Sequence, residues 1–221
     1  MTVVALTSPL LWYTARATGI AALLLLTAAT VLGALTASRS ASSRWPRFAV
    51  SEVHRRVSLL AVVFLAVHIG SSVLDTYVHI PLVAAVVPFV SNYSPFWVGL
   101  GAVAFDLFLA VIVSSLLKSR ISAPSWRAIH WLALACWPVA VIHAIGIGTD
   151  IRFGWLQAVV GLCIASVLAA VGWRWWERVR RPQPSSPLPH TRPAPSPKIG
   201  PRTTGRPPVG AGSPSGWGDR P

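Results

Sequence analysis

EVHRRVSLLAVVFLAVHIG, residues 52–70, is an apolar run bracketed by two histidines, His54 and His68, with thirteen residues between them. Ionisable side chains inside such a run are costly in a bilayer and mark functional positions. Whether the run is a membrane span, and what a span would want with a histidine near each end, are the two questions it poses.

Composition answers the first. Of 221 residues, 53% are hydrophobic and only 11% are charged, and the mean hydropathy is +0.59. A soluble domain carries about a quarter charged residues. An all-α membrane protein is therefore expected, with about five transmembrane helices in a bundle. The net charge of +13 comes mostly from arginines at the ends of apolar runs and in the C-terminal tail. That distribution orients membrane helices, so the bilayer is the expected partner and nucleic acid is not. Cys136 and Cys163 lie in apolar runs with no CxxC or Cys/His cluster and read as small buried thiols.

Five segments are long enough to cross about 30 Å of hydrocarbon as helices. They are residues 11–35, 53–74, 96–117, 127–148 and 153–173. HIPLVAAVVPFV, residues 79–90, is only twelve long and holds Pro81 and Pro88, so a short helix on the outer surface is expected there. The first segment ends in small residues as a secretory signal would. No basic side chain precedes it, however, and it reads as a retained helix.

Orientation follows from the basic residues. Arg39, Arg44, Arg47, Arg55 and Arg56 lie between spans one and two or at the start of span two. Lys118, Arg120 and Arg127 lie between three and four, and Arg174, Arg178, Arg180 and Arg181 follow five. The remaining connections hold only Arg16 and Arg152, beside Asp75 and Asp150. The positive-inside rule then predicts a multi-pass protein of the cell (cytoplasmic) membrane, N-terminus outside and C-terminal tail cytoplasmic. Residues 182–221 are rich in Pro, Gly and Ser and are expected to form a disordered cytoplasmic tail. They hold no glycine-rich nucleotide-binding unit.

Four of the six histidines fall in spans two and four, as H-x13-H (His54, His68) and H-x12-H (His130, His143). The two spans run in the same direction, so His54 pairs in depth with His130 at the inner end, and His68 with His143 at the outer. Fourteen residues of helix turn about 1400°, roughly 40° short of four turns, and rise about 21 Å. His54 and His68 therefore share a face. Thirteen residues leave His143 about 140° off the face of His130, so span four is expected to be bent or overwound near Pro138. Two facing helices can each supply one imidazole to a haem iron, and two couples stacked through a bilayer suit two haems in electron transfer. The metal ligands are then His54 and His130 for an inner iron, and His68 and His143 for an outer one. His79 and His190 read as solvated bystanders.

HRRVSLLAVVFLAVH followed by WRAIHWLALACWPVAVIHAIGIGTD resembles the ferric reductase-like transmembrane domain. That domain is shared by NADPH oxidases, ferric reductases and the haem-binding membrane subunit of a bacterial methionine sulfoxide reductase system. The resemblance covers about residues 10–175 and implies two b-type haems on the same four histidines. LWYTARATG is similar to the family's first core helix and implies that Arg16 contacts an outer haem propionate, where a snorkelling arginine is the alternative. Arg47, Arg55, Arg56 and Arg127 stand near the inner haem as propionate partners or as plain topology signals. Asp106, inside span three, reads first as a structural hydrogen-bonding group.

The function expected is transmembrane electron transfer through two haem b groups, as the membrane cytochrome subunit of an oxidoreductase. With a proline-rich tail where NADPH oxidases carry a flavin domain, a complete NAD(P)H-dependent enzyme is not expected. The donor would be a separate flavin-containing reductase or a quinol, and the acceptor an extracytoplasmic redox partner. A non-redox transporter or proton-relay subunit, and a haem-binding scaffold or sensor, are the alternatives.

Overall fold

The computed structural model describes residues 2–37, 47–148 and 154–180. The predicted tail, the Arg47 side chain, Arg39, Arg44, Trp45, Asp150, Arg152, Arg181 and His190 lie outside the described residues. Six α-helices follow in order: α1 (Thr2–Ala37), α2 (Arg47–Leu74), α3 (Pro95–Leu116), α4 (Ala123–His130), α5 (Leu132–Ile147) and α6 (Gly154–Arg180). Among the described residues there is no strand. Among the described residues five stretches are long and apolar enough to cross a membrane: Pro9–Thr36, Phe48–Leu74, Pro95–Leu116, Ala123–Ile147 and Gly154–Arg180. The protein is a multi-pass, all-helical membrane protein, and the five spans of the sequence reading fall on these stretches.

Local chemistry explains the elements. In a bilayer every backbone polar group must be satisfied within the chain, which favours unbroken helices. Polar side chains inside the spans turn back on their own helix: Thr27 bonds the Leu23 carbonyl at 2.8 Å and Thr30 the Leu26 carbonyl at 2.8 Å. Ser94 precedes α3 with φ 39, and Pro95 opens the helix, where its missing N–H costs nothing. Ser122 caps α4 by accepting from the Ser125 backbone N–H at 3.3 Å. Leu59, Val63, Leu162 and Leu168 stay exposed on the bundle surface, as side chains that face lipid do.

The helices associate in two antiparallel pairs, α1 with α2 and α3 with α5, and α1 also packs on α5 and α6. Leu23, Trp137, Val141, Val160, Cys163 and Val167 form the buried core between α1, α5 and α6. Trp137 Nε1 donates to Thr27 Oγ1 at 2.9 Å, tying α5 to α1, and Cys136 Sγ donates to the Ala104 carbonyl at 3.3 Å, tying α5 to α3. Both cysteines are free and buried, as the sequence reading had them.

Two expectations need correction. Span four is not overwound at Pro138, which lies inside α5. The interruption is at Trp131, between α4 and α5, where Leu134 N–H bonds the Trp131 carbonyl at 3.0 Å in a three-residue turn. A turn of that kind advances about 120° per residue instead of 100°, the sense needed to bring His143 toward the face of His130. Residues 79–90 hold a short helix, as expected: a four-residue 3-10 helix, Leu82–Ala85, followed by turns. The prolines at 81 and 88 leave too few donors for a longer helix. Second, the last helix continues past Trp173 to Arg180. Arg178 and Arg180 stand in its final turn, where cations complement the helix dipole, and Arg180 lies over the Trp176 ring at 3.9 Å.

Candidate functional site

The four span histidines come together as two couples. The His54 and His130 ring centres are 6.3 Å apart with planes at 71°, and those of His68 and His143 are 6.5 Å apart with planes at 75°. The backbones of α2 and α5 stand apart, since each packs on a different neighbour, and the imidazoles reach into the space between them. Metal–imidazole nitrogen bonds are about 2 Å, and a ring nitrogen lies about 1.1 Å from its ring centre, so two rings on opposite sides of one metal have centres about 6.3 Å apart. Rings sharing a direct N–H···N bond of about 2.9 Å would have centres closer by roughly 1 Å. Both couples match the wider spacing.

Each of three rings is held by the same device. His68 Nδ1 donates to the Ala15 carbonyl at 2.7 Å, His54 Nδ1 to the Ala29 carbonyl at 3.0 Å, and His143 Nδ1 to the Trp97 carbonyl at 2.7 Å. A carbonyl can only accept, so Nδ1 carries the proton and Nε2 keeps its lone pair for a ligand bond. In a helix a carbonyl points at the residue four positions on, and a side chain there blocks access to it. In all three seats that residue is glycine. A Cβ on Gly19 would lie 2.9 Å from His68 Nδ1, and one on Gly101 2.7 Å from His143 Cε1. A Cβ on Gly33 would meet His54 Cε1 at 3.5 Å, an ordinary contact.

The seats on α1 repeat at the histidine interval. Ala15 and Ala29, like Gly19 and Gly33, are fourteen residues apart, and so are His54 and His68. Two antiparallel helices whose features recur near four whole turns present both seats along one seam. The sequence reading missed these glycines, although the matching interval was there to be found.

His130 is held differently. Its Nδ1 is buried with no hydrogen-bond partner. Its ring stacks on Trp126, one turn earlier on α4, at 4.8 Å and 25°. Lys118 lies 4.3 Å from a Trp126 ring centre, and Arg174 of α6 lies 5.0 Å over Trp131. Trp126 Nε1, Arg174 Nε and Glu177 Oε2 are likewise buried without partners. This end of the bundle therefore concentrates unsatisfied polar atoms, which natural interiors seldom leave unmet.

At the other end a cavity of about 310 Å³ opens beside His68 and His143. Gly19, Phe105 and Phe108 line its walls, and Ala84 and Tyr93 of the loop after α2 close it. Arg16 also lines it and stacks over Trp12 at 4.6 Å, and the buried Asp75 borders it. Arg16 thus stands against the space next to the His68–His143 couple.

The other predicted arginines are not gathered in this way. Arg55 and Arg56 both pair with Glu52, at 3.2 and 2.8 Å, with largely exposed side chains. Arg127 is exposed on α4. Asp106 is half-buried on α3 and His79 is exposed. Among the described residues no group of three or more His, Cys, Asp and Glu side chains forms that could hold a bare metal ion. The arrangement offers pairs of imidazoles instead. Comparison with protein-family models, with curated proteins and with solved structures gives no match.

Proposed function

We propose that the chain is a di-haem b-type membrane cytochrome that carries electrons across the cell membrane, in keeping with its resemblance to the ferric reductase-like transmembrane domain. The observation that carries this reading is the pair of histidine couples, 6.3 and 6.5 Å between ring centres, spanning a gap between helices. A bare metal would need three or four protein ligands. A haem brings four nitrogens of its own and asks the protein for two, and that is what each couple offers.

Bound haem would supply a one-electron iron centre at each couple. The chain's own residues do the rest. His54 with His130, and His68 with His143, would each hold one haem iron and leave no place on it for substrate. The backbone carbonyls of Ala15, Ala29 and Trp97 fix three of the rings and raise their donor strength. Arg16 faces the space beside His68 and provides a cation for an anionic haem edge. The two couples are separated along α2 by about 21 Å of rise, so each serves one leaflet.

In this reading the His54–His130 end is cytoplasmic, since Lys118, Arg120 and Arg127, with Arg174, Arg178 and Arg180 at the end of α6, gather there. A separate flavin-containing reductase or a quinol delivers electrons at that end, and an extracytoplasmic redox partner accepts them at the other. The purified chain is expected to carry two haem b groups and to show the sharp reduced-minus-oxidised bands of low-spin haem. His68→Ala is expected to remove one haem and leave the second. A colourless wild-type chain would overturn the reading.

A further inference from the structure

The two couples are not equivalent, and the difference lies in His130. In the His68–His143 couple both rings donate from Nδ1 to a backbone carbonyl at 2.7 Å. In the His54–His130 couple only His54 does so, at 3.0 Å, and His130 Nδ1 has no partner. The reason can be traced on α3. Trp97 and Gly101 form the His143 seat, and fourteen residues further along the same face stand Val111 and Ser115. There the glycine is replaced by serine. Ser115 Oγ bonds the Val111 carbonyl at 2.7 Å and Ser114 Oγ bonds it at 2.9 Å. The glycine that opens the other seats is absent here, and two hydroxyls bond the Val111 carbonyl instead.

The backbone around His130 differs as well. His54, His68 and His143 each stand within a continuous helix, whereas His130 is the last residue of the eight-residue α4, directly before the interruption at Trp131. The Trp126 indole restrains the His130 ring from one side but accepts no hydrogen bond from Nδ1. Losing the Nδ1–H···O=C bond weakens an imidazole as a donor and removes the contact that orients it, and such outer partners are worth about 10- to 100-fold in metal affinity.

We propose that the His54–His130 couple is an exchangeable ligand site, at which a small neutral π-acceptor molecule replaces His130 on the reduced metal, while the His68–His143 couple stays closed. This rests on the di-haem reading above. In the exchange His130 gives up its bond, the incoming carbon atom takes the vacated position, and no electron or proton changes hands.

Carbon monoxide added to the dithionite-reduced full chain is the test, read by absorption difference spectra against total haem. One carbon monoxide per two haems is expected. The variant His68→Ala/His143→Ala should retain one haem that binds it, and His54→Ala/His130→Ala should retain one haem that does not. Binding at neither haem, at both, or only in the variant lacking His54 and His130 overturns the proposal, and the wild-type stoichiometry together with either variant decides if the other fails to fold. A chain that carries two low-spin haems inert to carbon monoxide sinks this inference and leaves the di-haem reading standing. A chain without haem sinks both.

Discussion

His68 Nδ1 stands 2.7 Å from the carbonyl oxygen of Ala15 on the neighbouring antiparallel helix. Gly19, one turn beyond Ala15, makes that approach feasible, because its Cβ would lie 2.9 Å from the same nitrogen. Gly19→Ala and Gly101→Ala are therefore expected to push His68 and His143 off their seats and to weaken haem retention at that couple about tenfold or more. Gly33→Ala, whose Cβ would meet His54 at 3.5 Å, should be tolerated. Haem per chain and the low-spin electron paramagnetic resonance signals measure both effects. Equal loss in all three variants would show that the glycines matter for helix packing in general and not for the seats.

The arginines should sort by position. Arg16 lines the cavity beside His68 and His143, so Arg16→Ala is expected to weaken haem binding at that couple by about tenfold, the scale of one charge-assisted hydrogen bond. Arg55 pairs with Glu52 on an exposed face, and Arg127 is exposed. Arg55→Ala and Arg127→Ala should leave haem content and thermal stability unchanged. Haem titration of apoprotein in detergent gives the comparison directly.

Trp137 and Thr27 tie α5 to α1 through a buried bond of 2.9 Å. Thr27→Val keeps the shape but leaves the indole N–H without an acceptor. Interhelical hydrogen bonds in membranes average about 0.6 kcal/mol and reach about 1.7, so a loss of about 1 kcal/mol in unfolding free energy is expected. Denaturant titration in mixed micelles would read it, with haem stoichiometry unaltered.

Orientation can be tested with thiol labelling, since Cys136 and Cys163 are both buried. Tyr77 is 84% exposed in the loop after α2, and Arg120 is exposed between α3 and α4. In intact cells a membrane-impermeant maleimide should label Tyr77→Cys, and should label Arg120→Cys only after permeabilisation. The opposite pattern would place the His54–His130 end outside.

Much of the fold was legible in the residues alone. The five spans follow from run length and hydropathy, which are local quantities set by the cost of burying polar atoms in hydrocarbon. The pairing of His54 with His130 and of His68 with His143 follows from span order, because two spans separated by one must run the same way. The seats were harder to see, since a glycine in a membrane helix ordinarily signals close packing and not a particular partner. Only the fourteen-residue interval shared by Gly19–Gly33 and His54–His68 hinted at their purpose.

The sequence by itself determined an all-helical membrane protein with four histidines at two depths. The tertiary structure decided how those histidines are set: the spacing of each couple, the carbonyl behind each of three rings, and the missing one behind His130. It also moved the break in span four from Pro138 to Trp131 and left Arg55 and Arg127 at the surface while Arg16 faced the cavity. The division has a physical cause. Hydrophobicity and helical period act along one chain segment, whereas ring separation depends on how far apart two helices pack and how each is rotated. Those variables are set by contacts such as Trp137 with Thr27 and Cys136 with Ala104, whose partners are 110 and 32 residues away in sequence.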